Sequence, residues 1–306
     1  VNEFADVLAC PDCHAALAFD AGGARCSSCE KRYARRDGIW HFITDDRVVQ
    51  DAVKHMNATY HDREATFYDD MHLHVREEVP LLQSVLRDLE PEGKVVLDVA
   101  TGTGFLARQL PPSCQLMCLD ISAGMLQRVR GMCPQAALLR GDAEQLPVRS
   151  AAVDLVTISS ALHHLPSPQR ALAEMQRVLK PGGRLLVFHE PHVIPHSFLF
   201  RALHFAGRRF HLLPNGNGKR EERIKSLASQ VFETSDGDHA LALMEQANRA
   251  ANVHSSFQPT QLLPDGLRLR AVETYFAQRS LWHRLMEWMC PMEGELFYLV
   301  AERAVE

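Results

Sequence analysis

Lys94-Val-Val-Leu-Asp98-Val-Ala100 runs directly into Thr101-Gly102-Thr103-Gly104-Phe105-Leu106-Ala107. The first stretch is a short apolar run ending in a carboxylate, the pattern of a parallel strand buried on both faces. The second predicts a tight glycine turn that opens a helix over 105–110. Strand, turn and helix in that order make a βα unit, in which missing side chains let a ligand approach the backbone. A second strand over 115–119 ends at Asp120, 18 residues after Gly102. That is near the spacing at which an acid hydrogen-bonds ribose hydroxyls. Taken alone, a Gly-x-Gly-x-x-Ala turn suits a nicotinamide dinucleotide as well as S-adenosylmethionine.

Further along, a third strand near 136–139 leads to Gly141-Asp142-Ala143-Glu144-Gln145-Leu146-Pro147. A fourth, over 153–158, leads to Ser159-Ser160-Ala161-Leu162-His163-His164-Leu165. A helix over 169–179 and a turn at Lys180-Pro181-Gly182-Gly183 then deliver a fifth strand, 184–189.

This ordered set, from about 95 to 190, resembles the class I S-adenosylmethionine-dependent methyltransferases, near the type 11 group that includes the ubiquinone and menaquinone methyltransferases. The resemblance implies an α/β fold, a doubly wound Rossmann-like sheet with an antiparallel last strand, whose closing hairpin 267–276 and 295–302 can supply. It also implies S-adenosylmethionine as cofactor. Gly102 and Gly104 would admit its methionine end, and Asp98 would meet its ammonium through backbone or water. Asp120 would accept from both ribose hydroxyls. Ile121 and Met125 would pack on the adenine, Asp142 would accept from its amine, and the Ala143 amide would donate to its ring; Ser159 belongs to the same set. Asp98 as a helix cap and Met125 as core are the structural alternatives. Ala100 stands where the family usually carries glycine, a departure expected to shift the methionine end slightly without excluding the cofactor.

Methyl transfer is an in-line displacement, so alignment of the nucleophile supplies much of the catalysis, roughly 7–11 kcal/mol. A hydroxyl or carbon acid also needs a base, and histidine is the usual choice. The chain has 16 histidines, so position rather than identity selects among them. His163 and His164 follow the fourth strand; His189 and His192 follow the fifth, both at the carboxyl edge where open α/β sheets bind ligands. His189 is the first candidate for the catalytic base and His163 the second, with packing the alternative for the 163–164 pair.

Cys10-Pro11-Asp12-Cys13 and Cys26-Ser27-Ser28-Cys29 are two CxxC knuckles separated by 12 residues. That spacing points to a tetrahedral zinc site, with redox pairs or disulfides as the alternatives. Gly22-Gly23 supplies the turn between them. With Tyr33 and Arg36-Asp37-Gly38-Ile39, the segment 8–42 resembles a Trm112-like zinc ribbon, which implies a structural Zn2+ held by Cys10, Cys13, Cys26 and Cys29. The expected division is 1–46 as zinc ribbon, 47–90 as a helical connector covering the cofactor, and 91–306 as the methyltransferase body. Within the connector, Tyr60, Phe67 and Tyr68 read as core, or as cover for a ligand.

Residues 195–264 read as a helical lid over the acceptor pocket, with helices over 197–210, 220–232 and 239–250 and glycine hinges at Gly216 and Gly218. Phe198, Phe200, Phe205 and Phe210 could line that pocket. Seven Lys or Arg against two Glu over 199–225 make a local basic stretch.

Of 306 residues, 46% are hydrophobic and 23% charged, and 38 acids outweigh 33 Lys plus Arg for a net charge of -5. This excludes a disordered chain and argues against a general nucleic-acid binder. No apolar run is long enough to span a membrane, and the acidic start lacks signal-peptide character, so a cytoplasmic protein is expected. The leading reading is methylation of a small-molecule acceptor at oxygen or carbon, a secondary metabolite or quinone-like compound. The alternatives are methylation of rRNA or tRNA, with the ribbon gripping the nucleic acid, and a non-methylating use of the cofactor.

Overall fold

The structure, a computed structural model, describes residues 4–71, 77–193, 256–275 and 295–305, with isolated positions between 222 and 254. Strand β5 (Val95–Val99) is hydrogen-bonded on both edges, parallel to β6 (Gln115–Asp120) on one side and to β8 (Val153–Ser159) on the other. Outside them lie β7 (Ala137–Arg140) and β9 (Leu179–Pro191), also parallel. β11 (Leu296–Arg303) enters antiparallel beside β9, and β10 (Leu267–Tyr275) closes that edge. The expected closing hairpin is present as far as Tyr275; Phe276 lies outside the described residues.

The N-terminal strands β1 (Leu17–Phe19), β2 (Gly23–Cys26), β3 (Arg32–Arg36) and β4 (Ile39–His41) form an antiparallel meander. In the turn after β1, Asp20 accepts from the amides of Gly22 and Gly23, both at 2.8 Å. β4 then pairs parallel with β7, Ile39 opposite Leu138 and Trp40 opposite Leu139. The described strands therefore make one continuous sheet, in the order β1-β2-β3-β4-β7-β6-β5-β8-β9-β11-β10.

Helices α1 (Asp45–Val49), α2 (Ala52–Glu64), α3 (Tyr68–Met71) and α4 (Val79–Leu89) precede the body; α5 (Ala123–Met132), α6 (Pro168–Val178) and α7 (Pro259–Leu262) follow. Their starts are written in the sequence. Asp51 accepts from the amides of Val53 and Lys54, and Ser122 from that of Met125, while Pro80 and Pro168 sit in first turns that need no amide donor. The expected helix over 105–110 is instead a 3-10 turn, Ala107–Gln109. Leu110 is extended, with ψ 145, because the ring of Pro111 disfavours a helical residue before it.

Alternation along the central strands divides the core. Leu97, Val99, Val156, Ile158, Leu185 and Val187 join one cluster with Ala171, Leu172, Met175 and Val178 of α6 and with Trp40 and Phe42. Val96, Leu155, Leu186 and Phe188 join the other, with Leu82, Val85, Leu86 and Leu89 of α4 and Leu126 and Val129 of α5. The sheet is thus covered on both faces, and its carboxyl edge is left for the site.

Of residues 195–264, expected to form a lid, α7 and the return to the body are described: the Phe257 amide donates to the Pro191 carbonyl and that of Val193 to the Phe257 carbonyl. The expected helices over 197–210, 220–232 and 239–250 lie outside the described residues apart from isolated positions. So do the four lid phenylalanines, Gly216, Gly218 and most of the basic stretch.

Ile39 is 1% exposed and packs in the second cluster with Leu138. Ile39→Ala is expected to destabilise the molecule by roughly 2–5 kcal/mol, the usual cost of such a cavity. Urea transitions followed by tryptophan fluorescence and by far-UV circular dichroism should move together. A transition of the N-terminal strands alone would show that the shared sheet does not couple them.

Candidate active site

Strands β5, β6, β7 and β8 each contribute at their carboxyl ends to one cavity of about 140 Å3. After β5 come Asp98, Ala100, Thr101 and Gly102; at the end of β6, Asp120 and Ile121; from α5, Met125. After β7 come Asp142 and Ala143, and after β8, Ser159, Ser160, Ala161 and His164. These include most of the residues the sequence singled out for the cofactor. Gly104 is the exception. It does not line the cavity, and a Cβ there would meet Val129 Cγ2 at 3.4 Å, so its φ of +85 serves the turn and the packing of α5.

Asp98 is buried and caps no helix. Its two oxygens accept from the hydroxyls of Thr101 (2.5 Å) and Thr157 (2.6 Å). Burial pushes its carboxyl up to about 6, the two hydroxyls working in the opposite direction. Asp120 accepts from the amides of Gly102 (2.8 Å) and Ser122 (2.9 Å), and burial raises its pKa against those donors. Each carboxylate oxygen retains a further acceptor position, which suits a vicinal diol. Gly102 has φ +55 and nothing within 4 Å of the place a Cβ would take, so the backbone there is open to a ligand. Met125 is both core and cavity wall, 1% exposed. These features fit an adenosyl ligand with a cationic end.

Asp142 does not wait free for an adenine amine. Lys54 Nζ from α2 donates to its Oδ2 at 2.7 Å and to Glu144 Oε2 at 3.2 Å, while its Oδ1 accepts from the Glu144 amide.

The two histidines favoured as base are not among the cavity-lining residues. His163 Nδ1 lies 2.8 Å from the buried carboxylate of Glu190, which also accepts the amides of Ala161 and Leu162. His189 Nδ1 is hydrogen-bonded to Glu78, whose carboxylate also accepts from Tyr275 at 3.1 Å. The cause is local: His189 has φ +57, which breaks the strand alternation, and its ring lies 6.3 Å from that of Tyr275 on the side where Phe188 also packs. His192 is also buried, its ring 6.2 Å from that of Phe297.

A further cavity wall comes from α2 and its neighbour α3: Tyr68, which the sequence offered as core or as cover for a ligand, and Lys54, Asn57 and His61, which it did not single out. A signal was present, since Lys54, Asn57, His61 and Glu64 follow 3-4-3 spacing and share one helix face. The stripe is polar, and a polar stripe by itself does not tell a cavity wall from a solvated face. It is turned inward, with Asn57 and Glu64 buried.

In the N-terminal strands, the Sγ atoms of Cys10, Cys13, Cys26 and Cys29 all lie within 4.8 Å of one another. Cys10 to Cys29 is 3.6 Å and Cys13 to Cys26 is 3.4 Å. A disulfide would require about 2.05 Å. A tetrahedral thiolate site with metal bonds of about 2.3 Å has edges of roughly 3.8 Å, so the group could hold one metal ion. Although burial opposes it, the amides of Cys29 and Ser28 and the neighbouring thiols hold the Cys26 thiol down at about 6.

Residues 97–187 match the family model described as a methyltransferase domain. A demethylmenaquinone methyltransferase of Renibacterium salmoninarum is 36% identical over 146 residues, 45% of this chain and 62% of that protein. The ubiquinone/menaquinone biosynthesis C-methyltransferase UbiE of Escherichia fergusonii is 33% identical over 170 residues, 51% and 66% respectively. The chain thus spans 62% and 66% of the length of these curated relatives. Among solved structures, the N-methyltransferase NodS of Bradyrhizobium japonicum WM9 aligns at a TM-score of 0.45 and 14% identity, over 78% of this chain and 99% of that one.

Ala100 has φ +51, a conformation that strains any residue carrying a Cβ. Ala100→Gly is therefore expected to raise stability, by about 1 kcal/mol, after allowance for the freer unfolded chain. Urea denaturation measures this, and a loss of stability would contradict the left-handed backbone at the cavity rim.

Proposed function

From a chain that carries a class I S-adenosylmethionine-dependent methyltransferase domain, we propose an enzyme that methylates a small aromatic or quinol-like hydroxyl compound, at carbon or oxygen. The observation that carries this is the cavity in which Asp120, Gly102, Met125 and Asp98 line one wall system at the sheet edge. When bound, S-adenosylmethionine supplies a methyl group on a sulfonium. Asp120 would hold the ribose hydroxyls, Ile121, Met125 and Ala143 the adenine, and Asp98 with the 100–102 turn and Ser159 the methionine end. Lys54 would release or share Asp142 as the adenine amine arrives. The names of the curated relatives supply the acceptor class. The net charge of -5 favours it over RNA.

In the same reading, residues 47–90 cover the cofactor and residues 91–306 form the catalytic body, with 195–264 as acceptor lid. Residues 1–46 form a ribbon around one structural zinc.

Asp120→Ala should weaken S-adenosylmethionine binding by on the order of 1–3 kcal/mol in calorimetry, with the fold retained. Tritiated methyl should pass from the cofactor to demethylmenaquinol and not to bulk RNA. The reverse pattern would overturn the small-molecule reading.

Asp98 gives this a pH signature. Its carboxyl is neutral below about 6, and a cationic ligand favours the charged form. Affinity for S-adenosylmethionine should therefore rise as pH increases through 6 and level off above it, and Asp98→Asn should flatten the profile. An unchanged profile in that variant would remove Asp98 from the site.

Metal-replete protein should contain one zinc per chain by elemental analysis, and Cys13→Ser with Cys29→Ser should abolish it and lower the melting temperature. Full zinc content in the double variant would refute the assignment.

A further inference from the structure

His61 lies on the inward face of α2 and lines the cavity. Its Nδ1 is 2.6 Å from Glu64 Oε1, a carboxylate whose side chain is 1% exposed. Such a partner fixes both the ring and its tautomer: Nδ1–H donates to the carboxylate, and Nε2 remains as the basic atom. The ring stands edge-on to His164, with centroids 5.6 Å apart at 80°, and to Tyr68, 6.4 Å apart at 69°. Asn57, one turn earlier on the same face, donates to the His164 carbonyl at 2.8 Å and ties this helix to the segment after β8. A base within a cavity wall, oriented by a buried acid, is the arrangement used to remove a proton from a bound group.

We infer that His61, positioned by Glu64, is the general base of this cavity and that the acceptor carries a conjugated hydroxyl which must lose its proton to react. This rests on the methyl-transfer reading above and identifies its catalytic base. His61 Nε2 takes the hydroxyl proton, and the O–H electron pair stays on the acceptor. That pair, at oxygen or delocalised to a ring carbon, forms the new bond to the methyl carbon as the S–CH3 bond breaks with its electrons remaining on sulfur. Where carbon is the nucleophile, the ring C–H proton then leaves to solvent and restores the aromatic ring. An amine or thiolate acceptor would need no such dyad.

The charged and titratable groups around the ring include Glu64, Asp62 and Tyr60 of α2, Asp120 at the end of β6, Tyr68 of α3 and His164. Burial works against the charged ring, but the Glu64 hydrogen bond and charge, with Asp120 and Asp62, outweigh it and raise the His61 pKa. kcat/KM should therefore rise with pH through a value above the ordinary 6.5 of histidine.

The test uses the full chain with two variants and two readouts. With demethylmenaquinol as acceptor, His61→Gln should lower kcat about a hundredfold, within the range for loss of a general base. Its affinity for S-adenosylmethionine should stay within threefold, which also reports that it folds. Glu64→Gln should move the acidic limb of the pH profile to lower pH, which a merely structural carboxylate would not do. In the ligand-free protein, proton NMR should show the His61 ring titrating above 6.5 and falling in Glu64→Gln. The inference is overturned if His61→Gln keeps kcat within threefold, if it loses the cofactor, or if neither the pH limb nor the NMR titration moves in Glu64→Gln. Should the native chain bind S-adenosylmethionine and methylate no hydroxyl compound, the preceding reading fails. The dyad is then judged by the NMR titration and by whether 4-nitrophenol is ionised at the cavity in the native protein and not in His61→Gln; absence of either overturns it.

Discussion

The double pairing of β5 is the constraint on which the remainder depends. With β6 on one edge and β8 on the other, the chain must leave β5 toward one side of the sheet and return to it on the opposite side. The segments that follow these strands diverge, and a crevice opens between them without any residue being removed from the core. Residues buried on both faces are why β5 and β8 read as apolar runs, and the crevice is why polar side chains collect where those runs stop. The cavity is a consequence of strand order before it is a consequence of side chains.

What fills the crevice is governed by burial of charge. Asp98 and Asp120 are held near one another with hydroxyl and amide donors in place of water, at the cost of raised pKa values. α2 answers this from the opposite wall with Lys54 and with the His61–Glu64 pair. Negative charge at the strand ends and positive or protonatable groups on the covering helix make a site that favours a cationic ligand and can still move a proton.

The fold was legible in the sequence because parallel strands buried on both faces leave uninterrupted apolar runs, and because the turns after them carry small or acidic residues. Gly102 and Asp120 were singled out that way, and Met125 only through the family resemblance. The rest depended on contacts that sequence does not display. Strand β4 of the ribbon joins β7 across about a hundred residues, and neither strand's pattern names the other. His189 stands at the carboxyl edge as the sequence placed it, but its positive φ turns the ring to Glu78 rather than into the cavity, which position along a strand does not reveal. Lys54, Asn57 and His61 of α2 were not singled out, because a helix that lines a polar cavity has the periodicity of a surface helix turned around. Gly104 differs from Gly102 in lying off the cavity, where a Cβ would rest against Val129 at 3.4 Å.

Arg47 has a consequence that reaches beyond its two hydrogen bonds. Its guanidinium donates to Asp12, inside the first cysteine knuckle, at 2.8 Å and to Gln145, in the loop that also carries Asp142, at 3.1 Å. One rigid planar cation therefore reads the conformation of both places. Any free energy by which an ion among the four thiolates biases the 142–145 loop must appear, equal in size, as a bias of the thiolates by whatever occupies the cavity, because linkage between two equilibria has no preferred direction. The coupling carried through Arg47 is therefore one quantity, read equally from metal retention at the cysteines and from ligand retention at the sheet edge.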